Sequence, residues 1–178
     1  MVDSYLTDVG AGLVTLAAVQ ARKAGLSLQA TAEFARTFAR RNVNTMALAT
    51  LENLIKGGRA SFLQAWVANF LNIRPLISFV DGALESVGRM NSKADMAEKI
   101  DEYLSSRLDP KTPVWLAISH GNAAEKAERV AKRLQERYRV EYTLMRPLST
   151  SIYLHAGPGG VLAMLLPLDG LPFRPTPP

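Results

Sequence analysis

Residues 74–90 read RPLISFVDGALESVGRM, two runs of strand-forming residues on either side of Asp81-Gly82. Asp-Gly is a preferred two-residue connection in hairpins, because both central positions of the tight turn take positive φ. We therefore predict an antiparallel strand pair at this point of the chain. Any sheet that contains this pair is mixed or antiparallel and not purely parallel.

Segments with helical and strand periodicity lie on both sides of the hairpin. Toward the N-terminus, the patterns predict a short strand at 1–4, helices from Val9 to Gly25 and from Ser27 to Asn42, a strand at 42–50, a short helix at 51–56 that Thr50 opens and Gly57-Gly58 closes, and a buried helix at 62–71. Toward the C-terminus, they predict a helix begun by Ser92, strands at 114–119, 140–145 and 161–167, a helix at 122–138 between the first two of these strands, and a loose Pro-rich tail.

Strands and helices alternate around one central hairpin, so the predicted fold class is α/β in the mixed α+β form. The predicted strand at 1–4 and the two helices after it have little sheet to pack on, and an isolated strand with a helix pair makes a poor core. We therefore expect residues 1–49 to be the remnant of a preceding domain, or of one that another chain completes. Residues 50–166 form the main domain, and 167–178 form the tail.

The composition narrows the function classes. Among 178 residues there is no cysteine, which excludes disulfides and thiolate metal sites and fits a cytoplasmic protein. The two histidines lack metal-ligand spacing, so no metal is expected. No apolar run approaches the roughly 20 residues of a membrane span, and no signal peptide is evident. The net charge of +5 is dispersed without interleaved aromatics, so no nucleic-acid partner is expected either.

Arg59 lies in KGGRAS, after two glycines and before a predicted helix start at Ser61. Paired glycines allow close approach of a ligand, and an arginine beside free helix N–H groups would bind an anion. The alternative is a helix stop followed by a solvated arginine.

His155 stands in LHAGPGGV, residues 154–161. This stretch lacks the lysine and hydroxyl of a P-loop, and no strand–helix continuation supports a dinucleotide loop. A neutral histidine would donate one hydrogen bond to a carboxylate or phosphate oxygen, or it would simply be a structural residue of a turn.

Other polar candidates carry weaker signals. His120 follows a buried strand, where an α/β sheet can bind a ligand, and the alternative is a structural histidine. Ser149, Thr150 and Ser151 form a hydroxyl cluster that would bind an oxyanion, although an edge strand is the commoner explanation. Neither an elbow for a catalytic serine nor an orienting acid is present. The apolar stretch that contains Leu71 and Ile73 predicts either an ordinary core or the wall of an acyl-chain tunnel.

Four stretches together resemble the DegV family of bacterial fatty-acid-binding proteins. They are VDSYLTDVGAG, TLENLIKGGRAS, FLNIRPLISFVDGALESVGR and HAGPGG, in matching order and spacing. The resemblance covers nearly the whole chain but only the C-terminal part of a typical member. It therefore implies that this chain is an incomplete piece of the binder and that the family's hydroxyl contacts to the carboxylate belong to the preceding part. It makes residues 1–49 the end of the family's N-terminal domain and residues 50–166 its C-terminal domain.

The resemblance implies a non-enzymatic lipid-binding protein that holds a long-chain fatty acid, such as palmitate, as its only bound molecule. Some members present the fatty-acid carboxylate to an ATP-dependent kinase subunit, which makes an acyl phosphate. The carboxylate ligands implied here are Arg59 and His155, with further contacts expected from Gly157, Gly159, Ile73 and Leu71.

The sequence also departs from the family. Ala156 replaces the usual threonine beside His155, and Asp8 stands where a serine is usual. Two alternatives remain: a substrate-binding domain like that of dihydroxyacetone kinase, which would hold a small carbonyl compound, and an interaction module that forms a homodimer through an exposed sheet edge.

Overall fold

The computed structural model describes residues 1–59, 74–91 and 93–178. The helices in these ranges are α1 (Asp8–Lys23), α2 (Leu28–Arg40), α3 (Glu52–Lys56), α4 (Met96–Ser105), α5 (Ala124–Arg137) and α6 (Thr150–Ala156). The strands are β1 (Val43–Ala47), β2 (Arg74–Val80), β3 (Ala83–Met90), β4 (Pro113–His120), β5 (Arg139–Pro147) and β6 (Val161–Pro167). No helix in the described ranges is long and apolar enough to cross a membrane.

One six-stranded sheet has the order β3-β2-β1-β6-β4-β5. Strands β4 and β5 run parallel, joined through the crossover helix α5, and the other neighbouring pairs are antiparallel. The sheet is therefore mixed and helices cover both faces, which confirms the predicted α+β class.

The predicted hairpin is confirmed between β2 and β3. Asp81 and Gly82 have φ of 48° and 81°, so both turn residues occupy the left-handed region that this tight turn requires. A bulge interrupts the pairing between Leu76 and Ile77. The left-handed conformation at Asp81 is better tolerated by an aspartate than by most residues, because its short polar side chain can hydrogen-bond locally.

Helices α1 and α2 pack on the sheet face formed by β4 and β6. Trp115 is fully buried there, and its ring lies 5.9 Å from that of Phe38, which stacks on Phe34. The Ser27 side chain caps α2 as predicted, accepting a hydrogen bond from the Ala30 N–H. Helices α4 and α5 cover the opposite face, where Ile100, Leu104, Val130 and Leu134 join the core.

The expectation about the N-terminal segment is wrong in two respects. Residues 1–4 form no strand, because the Asp3 and Ser4 side chains accept hydrogen bonds from the N–H groups two residues further on and favour turns. The helix pair also has a sheet to pack on, and β1 pairs with both β2 and β6. Residues 1–49 therefore share one sheet with the rest of the chain, and their assignment to a separate domain stays a prediction.

The C-terminal tail is not loose. Phe173 packs edge-on against Phe34 with ring centroids 5.4 Å apart, and Arg174 pairs with Glu141 at 2.6 Å. The side-chain amide of Gln20 both donates to and accepts from the backbone of Thr176. Prolines stiffen the tail, so less entropy is lost when these contacts form.

Some boundaries differ from prediction. Helix α4 starts at Met96, because Asp95 caps it by accepting from the N–H groups of Ala97 and Glu98. The predicted helix at 62–71, the predicted starts at Ser61 and Ser92, and the site residues Leu71 and Ile73 lie outside the described residues.

Candidate ligand-binding site

An apolar cavity of about 350 Å³ lies where β1, β2, α3 and α6 meet. Arg59, Ser151 and His155 are the polar side chains that line it. The other lining residues are Met46, Leu48, Leu54, Ile77, Phe79, Gly82, Leu84, Ile152 and Ala156. A mostly apolar wall with a few polar groups is typical of a small-molecule site.

The sheet topology brings the two halves of this site together. Strands β1 and β6 are antiparallel, with Ala47 at the end of β1 opposite Val161 at the start of β6. Helix α3 follows β1 and α6 precedes β6, so both short helices lie at the same end of the sheet. Arg59 and His155, far apart in sequence, line one cavity for this reason.

The KGGR segment ends α3 in a left-handed cap. Gly58 has φ of +68°, its N–H donates to the Ile55 carbonyl at 3.0 Å, and the Arg59 N–H donates to the Leu54 carbonyl at 2.9 Å. This is the Schellman pattern of a helix C-terminus. The Arg59 side chain is exposed and donates from Nη1 to the Gly57 carbonyl at 3.0 Å. The helix stop and the cavity-lining arginine are therefore both present.

Helix α6 carries the polar residues on the other side of the cavity. Ser151 and His155 are four residues apart, which places them on one helix face. His155 is half-buried, and its Nδ1 is buried without a hydrogen-bond partner among the described residues. The Asp8 carboxylate accepts from the Ser149 N–H at 3.2 Å, just before the first turn of α6. The hydroxyl cluster thus begins a helix, and the alternative of an edge strand is wrong.

Gly157 and Gly159 have φ of +71° and +82° and form the turn between α6 and β6. They are not among the residues lining the cavity. The Gly159 N–H donates to the Gly121 carbonyl at 2.6 Å, and the Gly121 N–H donates to the Gly160 carbonyl at 2.9 Å. These hydrogen bonds connect the turn to Gly121, just after the end of β4. The two glycines therefore shape the backbone that follows His155.

His120 is the last residue of β4, next to Gly121, and it does not line the cavity. Its Nδ1 accepts from the Ala123 N–H at 3.2 Å, just before α5 begins. This supports the structural alternative that the sequence left open for His120.

The site can hold an anion attached to an apolar body. It offers a guanidinium, a hydroxyl and an imidazole against aliphatic walls, the chemistry that a carboxylate on an alkyl chain requires. No group of three or more metal-ligating side chains occurs within residues 1–59, 74–91 and 93–178.

The sequence did not assign Ser151 to the site. It also did not predict that α3 contacts α6, where Asn53 Nδ2 donates to the Leu154 carbonyl and Gly57 lies against the His155 ring. The spacing of Ser151 and His155 would have indicated a shared face if a helix had been predicted at 150–156. The contacts of α3 with α6 had no sequence signal, because they depend on the pairing of β1 with β6.

Comparison with known proteins identifies the family and the fold of this chain. A DegV domain-containing protein of Mycobacterium tuberculosis is 32% identical over 166 residues, which are 90% of this chain and 58% of that protein. The structure of a fatty-acid-binding DegV family protein from Thermus thermophilus superposes with a TM-score of 0.86 at 24% identity, covering 94% of this chain and 60% of that one.

A Ruminococcus gnavus DegV family protein, solved with vaccenic acid, gives a TM-score of 0.81 at 24% identity over 90% of this chain and 58% of its own. These structures show a shared fold, and the chain spans only 58% of the M. tuberculosis relative. The family model "Uncharacterised protein, DegV family" matches residues 1–167, so the chain belongs to the DegV family.

Proposed function

We propose that this chain binds a long-chain fatty acid such as palmitate, with the alkyl chain against the apolar cavity wall and the carboxylate held by Arg59 and His155. The observation that carries the proposal is the meeting of these two side chains in one apolar cavity. Burial of the alkyl chain contributes about 0.8 kcal/mol per methylene. An unpartnered buried carboxylate would cost several kcal/mol, and the two donors offset that cost.

Ser151 is proposed as a third carboxylate donor. Ser151 lines the cavity one helical turn before His155, and Ala156 leaves the neighbouring position without the threonine hydroxyl usual in the family. The described relatives support the class of ligand. The T. thermophilus protein is a fatty-acid binder, and the R. gnavus protein was solved with vaccenic acid.

We further propose that the bound carboxylate is presented to a separate ATP-dependent kinase subunit. Arg59 and Ser151 are exposed while the aliphatic lining residues Leu48, Leu54 and Ile77 are buried, so a carboxylate held by these donors would remain accessible to a partner. A carboxylate oxygen would attack the γ-phosphorus of ATP, forming the acyl phosphate and releasing ADP. The kinase would supply nucleotide binding, and this chain would supply and orient the acyl substrate.

Binding is tested with palmitate labelled with ¹³C at the carboxyl carbon, whose resonance is followed by NMR as the chain is added. We expect a saturable shift, and about tenfold weaker binding for Arg59→Ala and for His155→Ala, the loss of one hydrogen bond to a charged group. Lys56→Ala is the matched control, because Lys56 is a neighbouring cation that does not line the cavity. No saturable shift would refute the function, and unchanged affinity in both site variants would refute the site.

Presentation is tested by adding ATP and a fatty acid kinase subunit and trapping acyl phosphate as its hydroxamate. We expect product that requires this chain and falls in the His155→Ala variant. Phosphorylation of a triose in preference to palmitate would instead favour the alternative of a dihydroxyacetone-kinase-like domain.

A further inference from the structure

The two glycines of KGGR are adjacent, but the structure requires them for different reasons. Gly58 has φ of +68°, a conformation that side chains rarely adopt, and a Cβ placed on it would meet no atom within 4 Å. Gly57 has φ of −79° and ψ of 0°, which any residue adopts readily. Backbone geometry therefore explains Gly58 and leaves Gly57 unexplained.

His155 explains Gly57. A Cβ placed on Gly57 would overlap Nδ1 of His155 and lie 2.8 Å from its Cε1. The imidazole edge that carries these two atoms therefore rests on the α carbon of Gly57. Because Nδ1 is buried there without a partner among the described residues, Nε2 is the ring nitrogen left to meet a ligand.

Gly57 also contacts the second proposed carboxylate ligand. Its carbonyl accepts from Nη1 of Arg59 at 3.0 Å. One residue thus touches both side chains that are proposed to hold the carboxylate.

Asn53, one turn earlier on α3, makes a second contact with α6. Its Nδ2 donates to the Leu154 carbonyl at 3.3 Å. A Cβ on Gly157 would lie 2.8 Å from Cγ and Oδ1 of Asn53, so that glycine leaves room for the asparagine. Two residues of α3, one helical turn apart, therefore contact the α6 segment. Gly57 meets the His155 ring, and Asn53 meets the backbone on both sides of His155, at Leu154 and Gly157.

We propose that Asn53 and Gly57 are positioning residues that form a seat for His155 and fix its ring with Nε2 toward the ligand. The expected effect on binding rests on the proposed function, whereas the contacts that form the seat do not depend on it. A methyl group at position 57 displaces the imidazole. It also lies 3.1 Å from the Asn53 carbonyl oxygen, a tight contact that requires a much smaller shift than the overlap with the imidazole.

The test compares Gly57→Ala with Gly58→Ala in the full chain. The ¹H–¹³C resonance of His155 Cε1 reports the seat, and that of His120, the chain's other histidine, is an internal reference. In Gly57→Ala we expect the His155 resonance to move, the His120 resonance to stay, and palmitate affinity to fall about tenfold. In Gly58→Ala we expect a lower urea midpoint with both histidine resonances and the affinity retained.

Asn53→Ala is the second variant, and it serves if Gly57→Ala does not fold. It removes the contact of Asn53 with Leu154 and adds no volume. We expect the His155 resonance to move in this variant as well. An unmoved His155 resonance in folded Gly57→Ala or in Asn53→Ala overturns the seat. Loss of palmitate binding by the wild-type chain overturns the proposed function instead, because the resonance experiment needs no ligand.

Discussion

Replacement of Ser151 by alanine separates a carboxylate donor from an ordinary surface hydroxyl. Ser151 lines the cavity on the same face of α6 as His155. Ser149 lies two residues earlier with its Oγ 3.4 Å from that of Ser151, but it does not line the cavity. Ser149→Ala is therefore a closely matched control that removes the same atoms from the same turn.

The expected size of the effect follows from the exposure of Ser151. A hydrogen bond to a charged group is worth about 1.5–3 kcal/mol, and water competes for an exposed hydroxyl, so we expect a loss of about 1 kcal/mol. That corresponds to roughly fivefold weaker palmitate binding. Stability should change little, because a surface substitution away from caps and cores stays within about 0.5 kcal/mol.

The assay is the carboxyl-¹³C titration, run beside urea unfolding for each variant. The reasoning is refuted if Ser151→Ala binds palmitate as tightly as Ser149→Ala and the wild-type chain. Adding Ala156→Thr to Ser151→Ala returns a hydroxyl to the cavity wall, and we expect part of the affinity to recover.

Three further predictions concern stability. Burial, and secondly the charge of Asp101, raise the pKa of Tyr138 to about 12 from 10.0. The unfolded chain loses this proton first, so the free energy of unfolding should fall between pH 10 and 12 by up to about 1.4 kcal/mol per unit, and Tyr138→Phe should remove that part in urea titrations. Asp101 is buried and accepts from Nε of Arg133 at 2.8 Å, so Asp101→Asn should cost about 2 kcal/mol by the same assay, with palmitate binding retained; an unchanged midpoint would contradict this. Phe173→Ala should cost about 2 kcal/mol, because half-buried Phe173 packs on Phe34, and an unaltered melting temperature would mean that the tail adds no stability.

Features encoded by neighbouring residues were predictable from the sequence. The hairpin followed from Asp81-Gly82, the start of α2 from Ser27, and the end of α3 from Gly57-Gly58. Each depends on φ preferences or hydrogen bonds that span a few residues.

Features that depend on distant partners were missed. Phe173 looked like part of a loose tail because its partner, Phe34, lies on a helix near the other end of the chain. The hydroxyl pattern around Ser151 favours an edge strand, whereas the structure has a helix there, and the Asp8 carboxylate accepts from the Ser149 N–H just before it. Local pattern carries no record of such contacts, since they form only when the sheet has assembled.

The sequence by itself determined the order and type of most elements, the hairpin, and the two motifs that contain Arg59 and His155. Only the tertiary structure decided that these motifs meet, because antiparallel pairing of β1 with β6 sets α3 beside α6. The tertiary structure also shows that the adjacent Gly57 and Gly58 are required for different reasons. The backbone conformation of Gly58 is local and readable from a helix stop, whereas Gly57 must lack a side chain because a histidine from the other end of the chain rests on it.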